Sequence, residues 1–276
     1  MTQKLNQAEQ HFHSKGWVVF DLPDPKPAFT AREILLAELR RLLNDSRITL
    51  ETYHKSAIED DHHFNSRIKL TEFFWRQRLG QNIINANLDF LKEFVGPDLN
   101  VQTKPYLRIT RPGKPQDNIH FHRDTFYGTS PFELSVIVPF VDIPAECSLS
   151  VLSGSHVRPD SDFPYTQMEN QEIVRGSAKH KVLGFLYAPK YIDPAYLQGM
   201  EPIPLKLGQA LIFILSLIHG SIENRGSQSR WSSDIRIVNS NVPIDLSARP
   251  DYYEPLCRSV VTDSAHAYLK SVAGSK

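Results

Sequence analysis

The chain has 276 residues, and its 31 lysines and arginines are balanced by 31 aspartates and glutamates. This length accommodates one domain with a sizeable core, and the balanced charge excludes a basic field that would draw nucleic acid or an anionic membrane to the protein. We therefore expect a small-molecule substrate as the partner, and the oligomeric state stays open.

Residues 1–97 are predicted to be mainly helical and to support the core. An early strand is expected at Trp17–Phe20. Thr30 and Glu33 have the spacing of a capping box, which predicts that a helix with an apolar stripe begins there. A second helical stretch is expected over residues 70–95, because apolar residues recur at helical spacing up to a Gly-Pro pair.

Residues 100–242 are predicted to form a β barrel or sandwich, because short β-like runs alternate with turn signals. Residues 157–200 form a proline- and tyrosine-rich insert that resembles a lid, and residues 255–270 are predicted to form a closing helix. The predicted β runs are residues 106–110, 119–124, 133–141, 149–152, 210–217 and 231–238.

Two features of the composition bear on the compartment. Cys147 and Cys257 are too few for a disulfide framework, which favours a reducing environment. The amino terminus is polar, and no apolar run approaches the roughly 18 residues of a membrane span. The expectation is a cytoplasmic protein.

A candidate metal site is formed by His122, Asp124 and His219. In an extended strand, residues two apart point to the same side, so His122 and Asp124 are expected to project together. His219 follows an apolar predicted strand and supplies a third donor. Two histidines and one carboxylate leave three open positions on an octahedral metal, which suits Fe(II) in oxygenases: two can chelate a 2-oxo acid and one can take O2.

Arg230 is a candidate anchor for a dicarboxylate. It follows His219 by eleven residues and begins another predicted strand. A guanidinium is always charged and forks onto a carboxylate through two hydrogen bonds. Without such a partner a buried arginine would be costly.

Four segments of the sequence resemble the phytanoyl-CoA dioxygenase family, over roughly residues 8 to 240. They are Lys15–Phe20, His122–Gly128, Glu133–Asp142 and Leu152–His156. The resemblance implies a mainly β fold with flanking α-helices, whose core is a double-stranded β-helix (a jelly roll of the cupin kind) with the metal at the mouth of the barrel.

The resemblance also implies the roles of individual residues. His122, Asp124 and His219 match the family's Fe(II) ligands, Arg230 matches its 2-oxoglutarate arginine, and Ser221 matches a hydroxyl that contacts the same carboxylate. The implied reaction uses O2, converts 2-oxoglutarate to succinate and CO2, and hydroxylates an unactivated C–H bond. The residues around these motifs are more similar to those of family members that act on carbohydrates and natural products than to those of members that act on acyl-CoA. A small polar metabolite (a sugar, amino acid or natural-product intermediate) is therefore the expected substrate.

Several residue assignments stay open. Arg236 shares strand parity with Arg230 and could also face the cofactor. Arg108 is interpreted as a surface or strand-edge residue, with contact to cofactor or substrate as the alternative. His120 shares the face of His122, but only His122 begins an H-x-D triplet.

Other polar and aromatic residues are interpreted structurally. Asp60–His63 is taken as a solvated polar run, because neighbouring residues splay apart. His156 is expected to pack in a turn. Four residues flank the proposed metal and are equally expected in the substrate cavity or the core: Thr125, Phe126, Tyr127 and Trp231.

Two rival functions also fit a barrel with these residues. One is a cupin-like, metal-dependent isomerase, epimerase or hydrolase without oxygen chemistry. The other is a non-catalytic ligand-binding jelly roll. Within the oxygenase interpretation, the sequence does not separate hydroxylation from desaturation, epoxidation or cyclisation.

Overall fold

The structure, a computed structural model, describes residues 2–167, 190–221, 223–247 and 249–273. Five helices precede most of the strands and one follows them. They are α1 (Thr2–Lys15), α2 (Lys26–Leu43), α3 (Asp60–Arg76), α4 (Leu79–Ala86), α5 (Leu88–Val95) and α6 (Val260–Ala273). Within these residues, no helix combines the length and the apolarity that crossing a membrane requires.

The strands form two facing sheets and a separate two-stranded ribbon. Their bounds are β1 (Trp17–Asp21), β2 (Leu99–Gln102), β3 (Tyr106–Thr110), β4 (Glu133–Pro139), β5 (Leu149–Val151), β6 (Tyr165–Gln167), β7 (Lys190–Ile192), β8 (Glu201–Ile203), β9 (Gln209–Ile214), β10 (His219–Ser221), β11 (Arg230–Asn239) and β12 (Tyr253–Cys257). The major sheet has the order β1-β9-β4-β11-β2-β12, with β3 also paired to β11. The minor sheet is β10-β5-β8, and the ribbon is β6-β7. The fold is mostly β with flanking helices, a double-stranded β-helix as expected.

Strand β11 separates the barrel interior from the helical layer. Because side chains alternate along a strand, Arg230, Asp234 and Arg236 line the interior cavity. Trp231 points the other way and is fully buried, where its Nε1 donates a hydrogen bond to the carbonyl of Leu50 at 2.7 Å. One strand therefore presents charge to the interior and an aromatic side chain to the outer core.

The helices cover the outer face of the major sheet and bury it. Leu39 of α2, Phe74 of α3 and Ile83 of α4 are all fully buried in one continuous core. Phe74 meets Phe140, just beyond β4, edge to face at 5.8 Å between ring centroids. Each such side chain contributes about 1.5–3 kcal/mol through burial, so the helices hold rigid the sheet that carries the site.

Two helix predictions were wrong in their bounds. Helix α2 begins at Lys26, with Pro27 in the first turn where proline suits the helix, so Thr30 lies inside it and caps nothing. The stretch 70–95 belongs to three helices, broken at Arg78, which has a left-handed φ of 53°, and at Asn87. The side chain of Asn87 bonds backbone atoms of a distant loop, a tertiary contact that periodicity does not encode.

The carboxyl-terminal helix and the insert also differ from expectation. Residues 253–257 form β12, which pairs with β2, so the closing helix begins only at Val260. Within the predicted insert, residues 165–167 and 190–192 pair as β6 and β7. Residues 168–189 lie outside the described residues.

Candidate metal centre

The segment that carries His122 and Asp124 is not the strand predicted over residues 119–124. His122 forms a single antiparallel bridge with His219, and Asp124 begins a 3₁₀ turn that ends at Tyr127. Arg123 between them is extended, with φ −110° and ψ 139°. This one extended residue suffices to send both neighbouring side chains in the same direction.

The side chain of Arg123 anchors the segment that carries His122 and Asp124. Its guanidinium donates hydrogen bonds to the carboxylate of Asp160 and to the carbonyls of Ser155 and Arg158. The backbone N–H of Asp124 is held separately by the carbonyl of Leu215 at 3.1 Å. Main-chain and side-chain hydrogen bonds to two other segments, residues 155–160 and Leu215, thus fix the positions of the two candidate ligands.

The three candidate ligands converge in the barrel. One donor atom from each of His122, Asp124 and His219 lies within 4.8 Å of the other two. Nε2 of His122 is 3.9 Å from Oδ1 of Asp124, and Nε2 of His219 is 3.6 Å from Oδ2. All three side chains are buried, whereas the side chain of His120 is exposed. His122, and not His120, is therefore the histidine of this segment that lies with the other two donors.

Both imidazoles are held in the form that binds metals. Nδ1 of His122 lies 2.6 Å from the carbonyl of His120, and Nδ1 of His219 lies 2.9 Å from the carbonyl of Leu217. A carbonyl only accepts, so each Nδ1 carries the proton and each Nε2 keeps a lone pair. Burial, reinforced by the neighbouring imidazole, lowers the pKa of His122 to about 3, and burial also lowers the pKa of His219. Both rings are therefore neutral at neutral pH.

Arg236 is engaged by carboxylates. Its Nη1 lies 2.9 Å from Oδ2 of Asp124, and its Nη2 donates to Oδ2 of Asp234 at 3.1 Å. Burial alone would lower the pKa of Arg236, but the attraction of Asp124 and Asp234 outweighs it and the pKa is raised. Arg230 and Arg236 lie on the same face of β11, and Arg236 is the one that contacts the candidate ligand Asp124.

Arg230 has a different environment. It is buried at the start of β11, and its Nη2 reaches only a 3.4 Å contact with Oγ of Ser232. Its Nε has no hydrogen-bond partner among the described residues. Burial lowers the pKa of Arg230 to about 10, which still leaves the guanidinium charged at neutral pH. A buried cation with an unsatisfied N–H suits an anionic ligand.

Ser221 lines the same cavity as Arg230. Its Oγ accepts a hydrogen bond from the backbone N–H of Ile119 at 2.7 Å. The hydroxyl proton therefore remains able to donate to an oxygen of a bound ligand.

Sequence reasoning placed Arg108 at a surface or strand edge and missed Arg67. Arg108 is half-buried on β3, which pairs with β11 alone among the described strands, and its side chain also lines the cavity, with Nη2 3.5 Å from Oδ2 of Asp234. Arg67 reaches the same cavity from α3 and is 2% exposed. No motif marks Arg67, because its role depends on how α3 packs on the barrel.

The run Asp60–His63 is not wholly solvated, in contrast to the prediction. His63 is 3% exposed, and its Nδ1 lies 3.1 Å from the hydroxyl of Tyr53. Asp60 accepts hydrogen bonds from Arg111 and Gln116. These residues join helix α3 to the loop after β3.

The remaining flanking residues have different surroundings. Trp231 is a core residue. Tyr127 donates its hydroxyl proton to the carbonyl of Lys190, and its ring centroid is 5.5 Å from that of His122. Phe126 packs on Tyr165 at 5.0 Å. Thr125 lies in the 3₁₀ turn beside them.

His156 packs in its turn, as expected. Its Nε2 lies 3.2 Å from the carbonyl of His13. A Cβ added at Gly16 would come within 2.6 Å of the His156 ring, so the turn sits directly against the start of β1.

Solved structures share this fold. A non-heme monooxygenase, ThoJ, aligns with a TM-score of 0.53 at 17% identity, covering 91% of this chain and 84% of that chain. The epimerase SnoN, solved in complex with Fe3+, alpha ketoglutarate and nogalamycin RO, aligns with a TM-score of 0.52 at 18% identity, covering 87% of this chain and 85% of that chain. At such low identity these likenesses establish the fold alone.

Sequence comparison adds the family. A search against curated proteins finds no significant match. The sequence model of the family described as phytanoyl-CoA dioxygenase (PhyH) matches residues 31–232, which is most of the chain and includes the three candidate metal ligands, Ser221 and Arg230. The chain belongs to the phytanoyl-CoA dioxygenase family.

Proposed function

We propose that the protein is an Fe(II)- and 2-oxoglutarate-dependent dioxygenase that hydroxylates a small polar metabolite and releases succinate and CO2. His122, Asp124 and His219 bind the iron, Arg230 binds the far carboxylate of 2-oxoglutarate, and Ser221 makes a second contact to it. The family uses Fe(II), 2-oxoglutarate and O2, which supports this choice of cofactors.

The convergence of two neutral imidazoles and one carboxylate carries the proposal. Nε2 of His122 and Nε2 of His219 each lie within 4 Å of an oxygen of Asp124. Because both Nδ1 atoms are occupied by carbonyls, the lone pairs point at the same space as the carboxylate. This donor set leaves room on the metal for a bidentate 2-oxo acid and for dioxygen.

The second half of the site fits a dicarboxylate. Arg230 offers a charged, buried fork with an unsatisfied Nε, and Ser221 offers a hydroxyl proton in the same cavity. A carboxylate placed between them would form charge-assisted hydrogen bonds worth about 1.5–3 kcal/mol each. These contacts favour 2-oxoglutarate over a 2-oxo acid without a second carboxylate.

When bound, the iron supplies the oxidation of a substrate C–H bond by dioxygen, coupled to decarboxylation of 2-oxoglutarate. The chain's own residues do the positioning. Arg236 holds Oδ2 of Asp124 at 2.9 Å, which orients the carboxylate. Part of the cavity wall around the candidate ligands is apolar and excludes water from the metal; it is formed by Ile137, Leu149 and Phe213.

The direct test measures turnover of 2-oxoglutarate in air. Purified protein with Fe(II) and 2-oxoglutarate should release succinate and consume oxygen, and substrates that increase this rate should gain one oxygen atom by mass spectrometry. Arg230→Ala should raise the half-saturating 2-oxoglutarate concentration by about 10- to 100-fold, because one charge-assisted contact is lost. Arg47→Ala, at a side chain that is 92% exposed, serves as the matched control.

Two outcomes would contradict the proposal. An unchanged 2-oxoglutarate requirement in Arg230→Ala would show that this arginine does not bind the cosubstrate. Conversion of a substrate without O2 and without 2-oxoglutarate would favour a cupin-like isomerase, epimerase or hydrolase.

A further inference from the structure

Strand β1 is the outermost strand of the major sheet. Among the described strands, only β9 pairs with it, in the antiparallel direction. A strand at the edge of a sheet has, on one side, backbone N–H and C=O groups that no neighbouring strand pairs, and such a row of groups is a template for a further strand. The side of β1 that faces away from β9 therefore has the backbone chemistry of a docking surface.

Two hydrogen bonds at the ends of β1 show which of its residues face outward. The N–H of Leu22 donates to the carbonyl of Gly208 at 2.9 Å. At the other end, the N–H of Ile214 donates to the carbonyl of Gly16 at 3.1 Å. In an antiparallel pair, residues that exchange hydrogen bonds with the partner strand alternate with residues that do not. Every second residue counted from Gly16 therefore bonds β9, and the residues between them direct their backbone groups away from it. These outward-facing residues are Trp17, Val19 and Asp21.

A cleft of about 590 Å³ lies along this side of β1. All five residues of the strand line it, together with residues of α1 and α5, and no residue of β9 does, which places it on the outward side. The two helices leave the strand's outward groups unpaired: among the described residues, the backbone N–H and C=O groups of Trp17, Val19 and Asp21 have no hydrogen-bond partner. The cleft therefore combines unpaired backbone groups with a volume that is typical of binding clefts.

Aromatic contacts fix the walls of the cleft. Phe20 of β1 stacks on Phe90 of α5, with 4.5 Å between the ring centroids. Trp17 meets His11 of α1 edge to face at 4.7 Å, and its Nε1 donates a hydrogen bond to Oγ of Ser153 at 2.8 Å. Both helices are thus attached to β1 by side chains that line the cleft, and the rings offer apolar surface to the side chains of a bound segment.

The charge of the cleft is negative. Asp21 and Glu93 line it, and among the described residues no lysine or arginine does. The carboxylate of Asp21 accepts a hydrogen bond from the neutral amide of Gln209 at 3.0 Å, which does not cancel its charge. Glu93 is exposed, and the adjacent Lys92 pairs with Asp89 at 3.4 Å. A ligand with a basic group is therefore electrostatically complementary to this cleft.

We propose that the cleft beside β1 binds an extended basic peptide segment of a partner protein, which adds a strand to the edge of the major sheet. Backbone hydrogen bonds to the outward-facing residues of β1 supply affinity, and a lysine or arginine near Asp21 or Glu93 supplies charge selectivity. The rings of Trp17, Phe20 and Phe90 contact the other side chains of the segment. None of the candidate metal ligands lines this cleft, so the surface is a second binding site in addition to the metal centre.

The test measures, by fluorescence anisotropy, the binding of a labelled seven-residue peptide in which lysine and valine alternate. A second peptide has glutamate in place of lysine. A third keeps the lysines and carries N-methyl groups on its backbone amides, which removes the N–H donors that an added strand needs. The full-length protein should bind the lysine peptide about tenfold or more tightly than the glutamate peptide. It should bind the methylated peptide about tenfold or more weakly than the unmethylated one.

Two substitutions in the protein test the same contacts. Val19→Pro removes one outward-facing N–H, and an edge strand accepts proline where the N–H faces away from the neighbouring strand. Glu93→Lys reverses one charge of the cleft. Each should weaken binding of the lysine peptide by about tenfold. Asp61→Lys makes the same change of charge at an exposed residue outside the cleft and should leave that binding unchanged.

Urea denaturation shows whether each variant is folded. If Val19→Pro does not fold, the methylated peptide and Glu93→Lys still test the strand contact and the charge contact. Equal affinities for the lysine and glutamate peptides, or no binding of the lysine peptide, would overturn the inference. Undiminished binding of the methylated peptide would show that charge alone holds the peptide and that no strand is added, which also overturns it. Equal losses in Glu93→Lys and Asp61→Lys would have the same consequence, because attraction to the whole surface would then explain the binding.

Discussion

His122 and His219 exchange both of their backbone hydrogen bonds, at 2.9 Å and 3.0 Å. This single bridge joins the H-x-D segment to β10 and sets the spacing of the two imidazoles through the main chain. The ring centroids lie 4.5 Å apart as a result. A change that separates these two backbones should therefore lower the affinity of the site for Fe(II).

Gly220 allows that close approach. A Cβ at this position would lie 2.7 Å from Cδ1 and 2.9 Å from Cα of Phe121, and 3.0 Å from the carbonyl of Ile119. Gly220→Ala should push the H-x-D segment away and lower Fe(II) affinity by about 10- to 100-fold, the range seen when the support of metal ligands is disturbed. Anaerobic titration with Fe(II) measures this. Gly226→Ala is the control, since its nearest contact is a side-chain atom at 3.3 Å, and equal affinities in the two variants would refute the role of the bridge.

Arg236 is expected to orient Asp124. Arg236→Met removes the cation 2.9 Å from Oδ2 of Asp124 while keeping an unbranched apolar stem, and Fe(II) affinity should fall by about 10- to 100-fold. Arg47→Met changes an exposed arginine and should leave it unchanged. An increase in affinity in Arg236→Met would mean that Arg236 acts on Asp124 mainly by repelling the metal.

Trp231 should be needed for stability rather than for binding. It is fully buried, packs edge to face on Tyr53 and donates to the carbonyl of Leu50. Trp231→Ala should lower the free energy of unfolding by about 3–5 kcal/mol, measured by urea denaturation. Trp231→Phe should cost less, because it keeps most of the packing and loses the hydrogen bond. A loss below about 1 kcal/mol in the alanine variant would place the indole outside the core.

His63 should make the metal-free protein less stable in weak acid. Burial lowers its pKa to about 4, against the attraction of Asp117, with Arg111 and Arg67 lowering it further. In the unfolded chain a histidine has a pKa of about 6.5, so between about pH 6.5 and 4 the unfolded state binds more protons. The free energy of unfolding should then fall as the pH falls, by about 1 kcal/mol per pH unit from this residue.

Urea denaturation at pH 7 and pH 5 measures the effect of His63. The comparison with His63→Gln removes the contributions of the other titrating groups, which both proteins share. The variant should lose less stability than the wild type between these two pH values. Equal losses would mean that His63 is hydrated and titrates normally in the folded protein.

Features that depend on neighbouring residues could be predicted from the sequence, whereas features that depend on tertiary contacts could not. The apolar alternation of residues 106–110 gave β3 with its observed bounds, and the H-x-D spacing anticipated that His122 and Asp124 point the same way. The pattern did not reveal that a 3₁₀ turn begins at Asp124, because that depends on hydrogen bonds to distant segments. Likewise, strand parity leaves two arginines of β11 equivalent, and only the position of the Asp124 carboxylate separates them.

Anaerobic addition of Fe(II) and 2-oxoglutarate tests the central claim most directly. The wild-type protein should develop the weak visible charge-transfer band of a 2-oxo acid chelated to iron. Asp124→Ala should lose the band, Arg230→Ala should need more 2-oxoglutarate to reach it, and Asp61→Ala, at an exposed carboxylate, should keep it unchanged. A wild-type protein that binds iron without the band, or an Asp124→Ala protein that keeps it, would contradict the proposed site.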